Sequence, residues 1–187
     1  MRKYNAVCSA AIILLLIIHA VAGIFQMTGV ISGGNRVMKV LAYIMTGFVI
    51  LHIIFGFRLT IETLFALHRA GKSYFRDNLE FWIRRISGFA LVLLILYHVI
   101  IFTGKGAESF RLNMFGGLQL AGSILLVIAL LVHICVNIRP LLISFGIAGK
   151  RVYVRDILFI ISIIAAICAV AFIVYYLRWN ITWRYGS

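Results

Sequence analysis

Charge and proline are nearly missing from this chain. Of its 187 residues 12% are charged, one is proline and 64% are hydrophobic, with a mean hydropathy of +1.09. A soluble domain carries about a quarter of its residues as charges, so a soluble fold is excluded. Acids number five, against 18 lysines and arginines, which gives a formal charge of +13. Three cysteines, Cys8, Cys135 and Cys168, stand far apart with no CxxCH and no CxxC. That excludes covalently attached c-type haem and gives no support to zinc or an iron–sulfur cluster, leaving the thiols as small apolar residues. The longest connection, Arg58 to Arg85, is under thirty residues, too short for a soluble catalytic domain.

What is present is apolar sequence in long runs. A helix needs about 20 apolar residues to cross roughly 30 Å of hydrocarbon, and five runs qualify: Ala6–Met27, Val40–Phe57, Ile86–Thr103, Leu118–Ile138 and Ile157–Leu177. The expectation is an all-α, five-helix transmembrane bundle forming a single domain over residues 1–187. MRK, an apolar run and HAVAG could pass for a signal peptide, but the run continues to Phe25 and Met27, so the first span reads as a mature helix. With the N-terminus inside, twelve lysines and arginines fall in inner segments and six in outer ones. The bias predicts N-inside and C-outside. The basic inner face suits anionic lipid or an acidic partner surface, and nothing points to nucleic acid.

Four of the five histidines lie inside spans, one in each of the first four: His19, His52, His98 and His133. Ionisable groups in hydrocarbon are expensive and face a bundle interior, either for function or for a helix–helix hydrogen bond. Counted from the inner end, His19 and His98 fall in the outer half, and His52 and His133 in the inner half. The offset between levels is six or seven residues, about 10 Å of rise. Two facing imidazoles at one depth are the axial ligation of a b-type haem, and two levels imply two haems. Gly47, Gly56, Gly88 and Gly122 lie on the same helices and would allow close approach.

The chain also repeats. His19 to His98 is 79 residues and His52 to His133 is 81, while FGFR and VNIR each place an arginine, Arg58 or Arg139, six residues after the even-helix histidine. Those arginines reach the inner headgroup level, where they either meet haem propionates bidentately or act as snorkelling anchors. The fourth run stops at Pro140. Leu59 to Leu67 continue the second helix beyond the membrane as far as Gly71, a C-cap candidate, and His68 in this connection reads as a surface residue.

Five helices with histidines on the first four, pairing I with III and II with IV, resemble the dihaem cytochrome b membrane anchor subunit of the succinate:quinone oxidoreductase and fumarate reductase superfamily. RRISGFALVLLILYH, residues 84–98, resembles that superfamily's Arg-x-Ser-Gly segment, with a ligand histidine ten residues after the glycine. The resemblance implies two haem b, the outer on His19 and His98 and the inner on His52 and His133. It also implies a flavoprotein subunit (FAD) and an iron–sulfur subunit on the inner face, and electron transfer to or from a quinone of menaquinone type. The setting would be a prokaryotic cytoplasmic membrane. Some members use membrane glutamates for quinone and proton chemistry, whereas the acids here lie in loops or at helix ends, so quinone ligands do not carry over. Candidates are Gln26, Lys39, Tyr43 and Glu108 at the outer rim, and Arg85 and Ser87 at an inner site. The alternatives are the anchor of a hydrogenase or formate dehydrogenase, and a haem-free assembly factor or transporter.

Overall fold

The computed structural model describes residues 1–31, 36–71, 79–103, 115–147 and 151–185. These form five helices: α1 (Arg2–Thr28), α2 (Arg36–Arg69), α3 (Leu79–Phe102), α4 (Gly117–Ser144) and α5 (Arg151–Tyr185). All five are long and apolar enough to cross a membrane. Inside hydrocarbon each backbone group must be satisfied within its own helix, which is why apolar runs of this length fold this way. Hydroxyls obey the same constraint. Thr46, Thr60, Thr63, Ser123, Ser144 and Ser162 each donate to the carbonyl four residues back.

The helix ends are set by local chemistry. α1 stops where Gly29 takes a left-handed conformation, φ 79°, and returns its N–H to the carbonyls of Phe25 and Gln26. Arg178 of α5 donates to the Thr28 carbonyl at that end, a cation at a helix C-terminus. α2 runs eleven residues beyond Arg58, which pairs with Glu62 one turn later, and the chain then turns at Gly71, φ 60°. α3 begins at Leu79, so Arg84 and Arg85 lie within it rather than before it. At the start of α4 the Gln119 side chain accepts the Gly116 N–H at 3.0 Å.

α4 does not stop at Pro140 but continues to Ser144. A proline inside a helix has no N–H for the carbonyl four residues back, which here is that of Val136. Arg84 supplies the missing donor: its Nε bonds the Val136 carbonyl at 3.1 Å, and its Nη2 bonds Glu80 at 2.8 Å. The proline therefore opens a bonding position on α4 that α3 fills.

α1 packs on α2, α3 on α4, α4 on α5, and α1 on α5, with a lighter α1–α4 contact. Among the described residues, α1 and α3 make no comparable backbone approach, nor do α2 and α4. The small core lies at one end, where Phe115, Ile101 and Tyr175 gather Met27, Tyr97, Phe102, Leu120, Phe172 and Tyr176 around them. α3 and α4 are close because residue 122 is glycine: a Cβ there would come within 2.3 Å of the Tyr97 ring. Large apolar side chains cover the outside, Leu118 at 80% and Ile100 at 70% exposure among them, as a surface solvated by lipid requires.

Candidate functional site

Two histidine pairs meet across helices whose backbones stay apart. His52 of α2 and His133 of α4 have ring centres 6.2 Å apart with planes at 88°. His19 of α1 and His98 of α3 are also 6.2 Å apart, at 75°. No hydrogen bond joins the rings of either pair. With the nitrogens facing, a ring-centre distance of this size leaves about 4 Å between them, twice the roughly 2.0–2.1 Å of a metal–imidazole bond. In that orientation the two imidazoles of each pair could share one metal atom. Among the described residues no group of three or more His, Cys, Asp or Glu converges, so each pair offers two side-chain donors. A two-ligand site suits a metal whose other positions a macrocycle fills and does not suit a closed zinc site.

The His52–His133 level is held by two serines. Ser9 Oγ of α1 lies 3.2 Å from His52 Nδ1, and Ser87 Oγ of α3 lies 3.0 Å from His133 Nδ1. Each serine has one hydroxyl proton, and each commits it to its own helix: Ser9 to the Asn5 carbonyl at 2.9 Å, Ser87 to the Arg84 carbonyl at 3.2 Å. In that arrangement the serine oxygens are acceptors, and the matching imidazole tautomer carries its proton on Nδ1. That tautomer leaves Nε2 with a free lone pair, the state an axial ligand needs. Asn137 Nδ2 donates to the His133 carbonyl at 2.8 Å, and Gly88 passes beside the His133 ring, where a Cβ would sit 3.4 Å from Cε1.

Arg85 belongs to the same level. It is half-buried, lies with its guanidinium carbon 5.0 Å from the Phe81 ring centre, and directs Nη1 to the Gly56 carbonyl at 3.4 Å. Its Nε is buried without a hydrogen-bond partner. A half-buried guanidinium with a buried, unused donor suits an anion. Arg58 is largely exposed and turned onto Glu62, and Arg139 is exposed. Of these three arginines, Arg85 is thus the one turned into the bundle, bonding the Gly56 carbonyl one helical turn from His52.

The His19–His98 level is apolar. Phe102 packs 4.7 Å from the His98 ring centre and Phe172 6.5 Å from it, and His98 Nδ1 is buried with no partner. The two levels are further apart than the count along the apolar runs gives. Ser9, at the His52 level, and His19 are ten residues apart on α1, and Ser87 and His98 eleven on α3. The separation is therefore about 15 Å rather than 10 Å. Charged residues ended the runs for counting, but Arg58, Arg84 and Arg85 all sit within continuous helices, so the run ends do not share one height.

Of the remaining candidates, Gln26 is half-buried while Lys39 and Tyr43 are exposed. No hydrogen bond or ring contact among the described residues brings these three together. Glu108 lies outside the described residues. Gly88 and Gly122 sit against side chains, whereas a Cβ at Gly47 or Gly56 would meet nothing within 4 Å. Ser9 escaped the sequence reading, although it stands 78 residues before Ser87, within one to three residues of the histidine repeat.

The family model of the succinate dehydrogenase/fumarate reductase transmembrane subunit matches residues 77–174. The chain belongs to that family. The match takes in α3, α4 and most of α5, and with them Arg85, Ser87, His98 and His133. Comparison with curated proteins and with solved structures finds no match. α1 and α2 lie outside the matched region, yet they carry the same serine–histidine bond and the facing histidine of each pair. In this transmembrane subunit the first hairpin therefore repeats the bonding pattern of the second.

Proposed function

We propose that this transmembrane subunit is a dihaem cytochrome b anchor that passes electrons between a membrane quinone and a soluble flavoprotein and iron–sulfur pair of succinate dehydrogenase or fumarate reductase type. The observation that carries the reading is the pair of equal 6.2 Å histidine separations, each spanning helices whose backbones stay apart. A bound haem supplies one-electron transfer, and the protein's part is binding, orientation and electrostatics. Four histidines do the binding, as His19 with His98 and His52 with His133. Ser9 and Ser87 orient the second pair. Arg85 offers its free Nε to a carboxylate at that level, the role of propionate partner that Arg58 and Arg139 were candidates for. Phe102 and Phe172 keep water from the first pair.

By the charge bias the His52–His133 level lies toward the inner face, next to the iron–sulfur subunit, and the His19–His98 level toward the outer face. The basic extension of α2 from Arg58 to Arg69, with Phe65 63% exposed, provides a docking surface for the soluble subunits. The quinone, of menaquinone type, would bind near one of the two levels in a prokaryotic cytoplasmic membrane. A haem assay with reduced-minus-oxidised spectra on the purified complex tests the proposal. Two b-type haems per chain, copurifying with a flavoprotein carrying FAD, are expected. Absence of haem would return the histidines to plain helix packing.

A further inference from the structure

Serine hydroxyls in membrane helices ordinarily bond their own backbone and nothing else, as Ser162 does with the Leu158 carbonyl. Ser9 and Ser87 make that same bond and in addition face an imidazole nitrogen on the neighbouring helix. The arrangement occurs twice, on α1 toward α2 and on α3 toward α4, at positions that the internal repeat makes equivalent. Both copies converge on a single histidine level. At the other level His98 Nδ1 is buried with no partner at all.

We propose that Ser9 and Ser87 are positioning residues that act through His52 and His133 to set the ligand strength of one haem level and not of the other. The inference rests on the dihaem reading above. An imidazole whose Nδ1–H is held by an acceptor is a more basic ligand and favours the oxidised metal, so the serines lower the reduction potential at the level they serve. His98, without an acceptor, has no such contribution. The asymmetry is built into the chain itself and needs no difference in ligand type, since all four ligands are histidine.

The test is redox potentiometry of the two b haems in the purified complex carrying S9A, S87A, both together, S9T with S87T, and S162A as control. In the double alanine variant, reduction of one haem should become about tenfold more favourable, a rise of about 59 mV for a one-electron couple. Each single variant should shift that same haem by part of this amount. The other haem should not move, the threonine variants should stay near the parent because their hydroxyls can accept the same bond, and S162A should change nothing. Shifts in both haems, shifts of different haems by S9A and S87A, or no shift would overturn the proposal. If an alanine variant sheds haem, loss confined to one level and retained by threonine supports it; loss that threonine shares overturns it. A parent complex with no haem overturns the dihaem reading as well, so the two failures are told apart.

Discussion

Replacing Arg84 by leucine removes the donor that meets the Val136 carbonyl, the group that Pro140 leaves without its helical partner. A hydrogen bond from a charged donor contributes about 1.5–3 kcal/mol, and a buried carbonyl left bare costs about 1–3 kcal/mol. The Arg84 side chain keeps 29% of its exposure, so the lower half of that range applies and R84L should destabilise by about 1–2 kcal/mol. P140A restores a backbone N–H four residues after Val136, and the carbonyl is then satisfied within α4. In the P140A background R84L should therefore cost no more than about 0.5 kcal/mol, a coupling of about 1 kcal/mol between residues on different helices. Glu80 is 79% exposed, and E80Q should change stability by less than about 0.5 kcal/mol. Unfolding of the four purified proteins by SDS in mixed micelles, followed by tryptophan fluorescence, measures the cycle. An equal cost of R84L with and without Pro140 would refute the assignment, because it would mean that Arg84 serves something other than the carbonyl freed by the proline.

R85L should lower the potential of the haem proposed on His52 and His133. A positive charge roughly 10 Å away at an effective dielectric of about 20 contributes about 1–2 kcal/mol, on the order of 50–80 mV for one electron. R58L and R139L, which remove exposed charges, should leave that potential within error in the same titration, and an R139L shift as large as that of R85L would return Arg139 to the propionate role. G122A should destabilise the chain by about 1–3 kcal/mol through overpacking against Tyr97. The same substitution in a Y97A background should cost far less, which SDS unfolding would show. G29A adds a Cβ where φ is positive and Arg178 lies close, so it should destabilise by about 1–2 kcal/mol, and an unchanged midpoint would show that Arg178 and the α1 terminus move freely.

Five helices were legible because each span is a long apolar run, a signal that belongs to a single segment. The pairing of histidines by depth was legible for a related reason: helical rise converts a sequence offset into height, and His19 with His98 and His52 with His133 are the pairs the fold brings together. The absolute spacing of the levels was not, because a charged residue marks the membrane boundary only where the helix ends there. Arg58 sits inside α2 and pairs with Glu62, while Arg84 and Arg85 sit inside α3. Pro140 misled in the same way. It ends the apolar run but not the helix, because a donor 52 residues away in sequence satisfies the carbonyl it strands. Ser9 was invisible for want of local signal, since its significance comes from a ring 43 residues further on. Only the repeat linking it to Ser87 could have marked it.

The central claim is that the four membrane histidines are two pairs of axial ligands. Its most direct measurement is the haem content, with reduced-minus-oxidised spectra, of the purified parent and of H19A, H98A, H52A and H133A. Axial ligation by these pairs predicts two b-type haems per parent chain, loss of one and the same haem in H52A and H133A, and loss of the other in H19A and H98A. A parent without b-type haem, or variants of one pair that lose different haems, would contradict it.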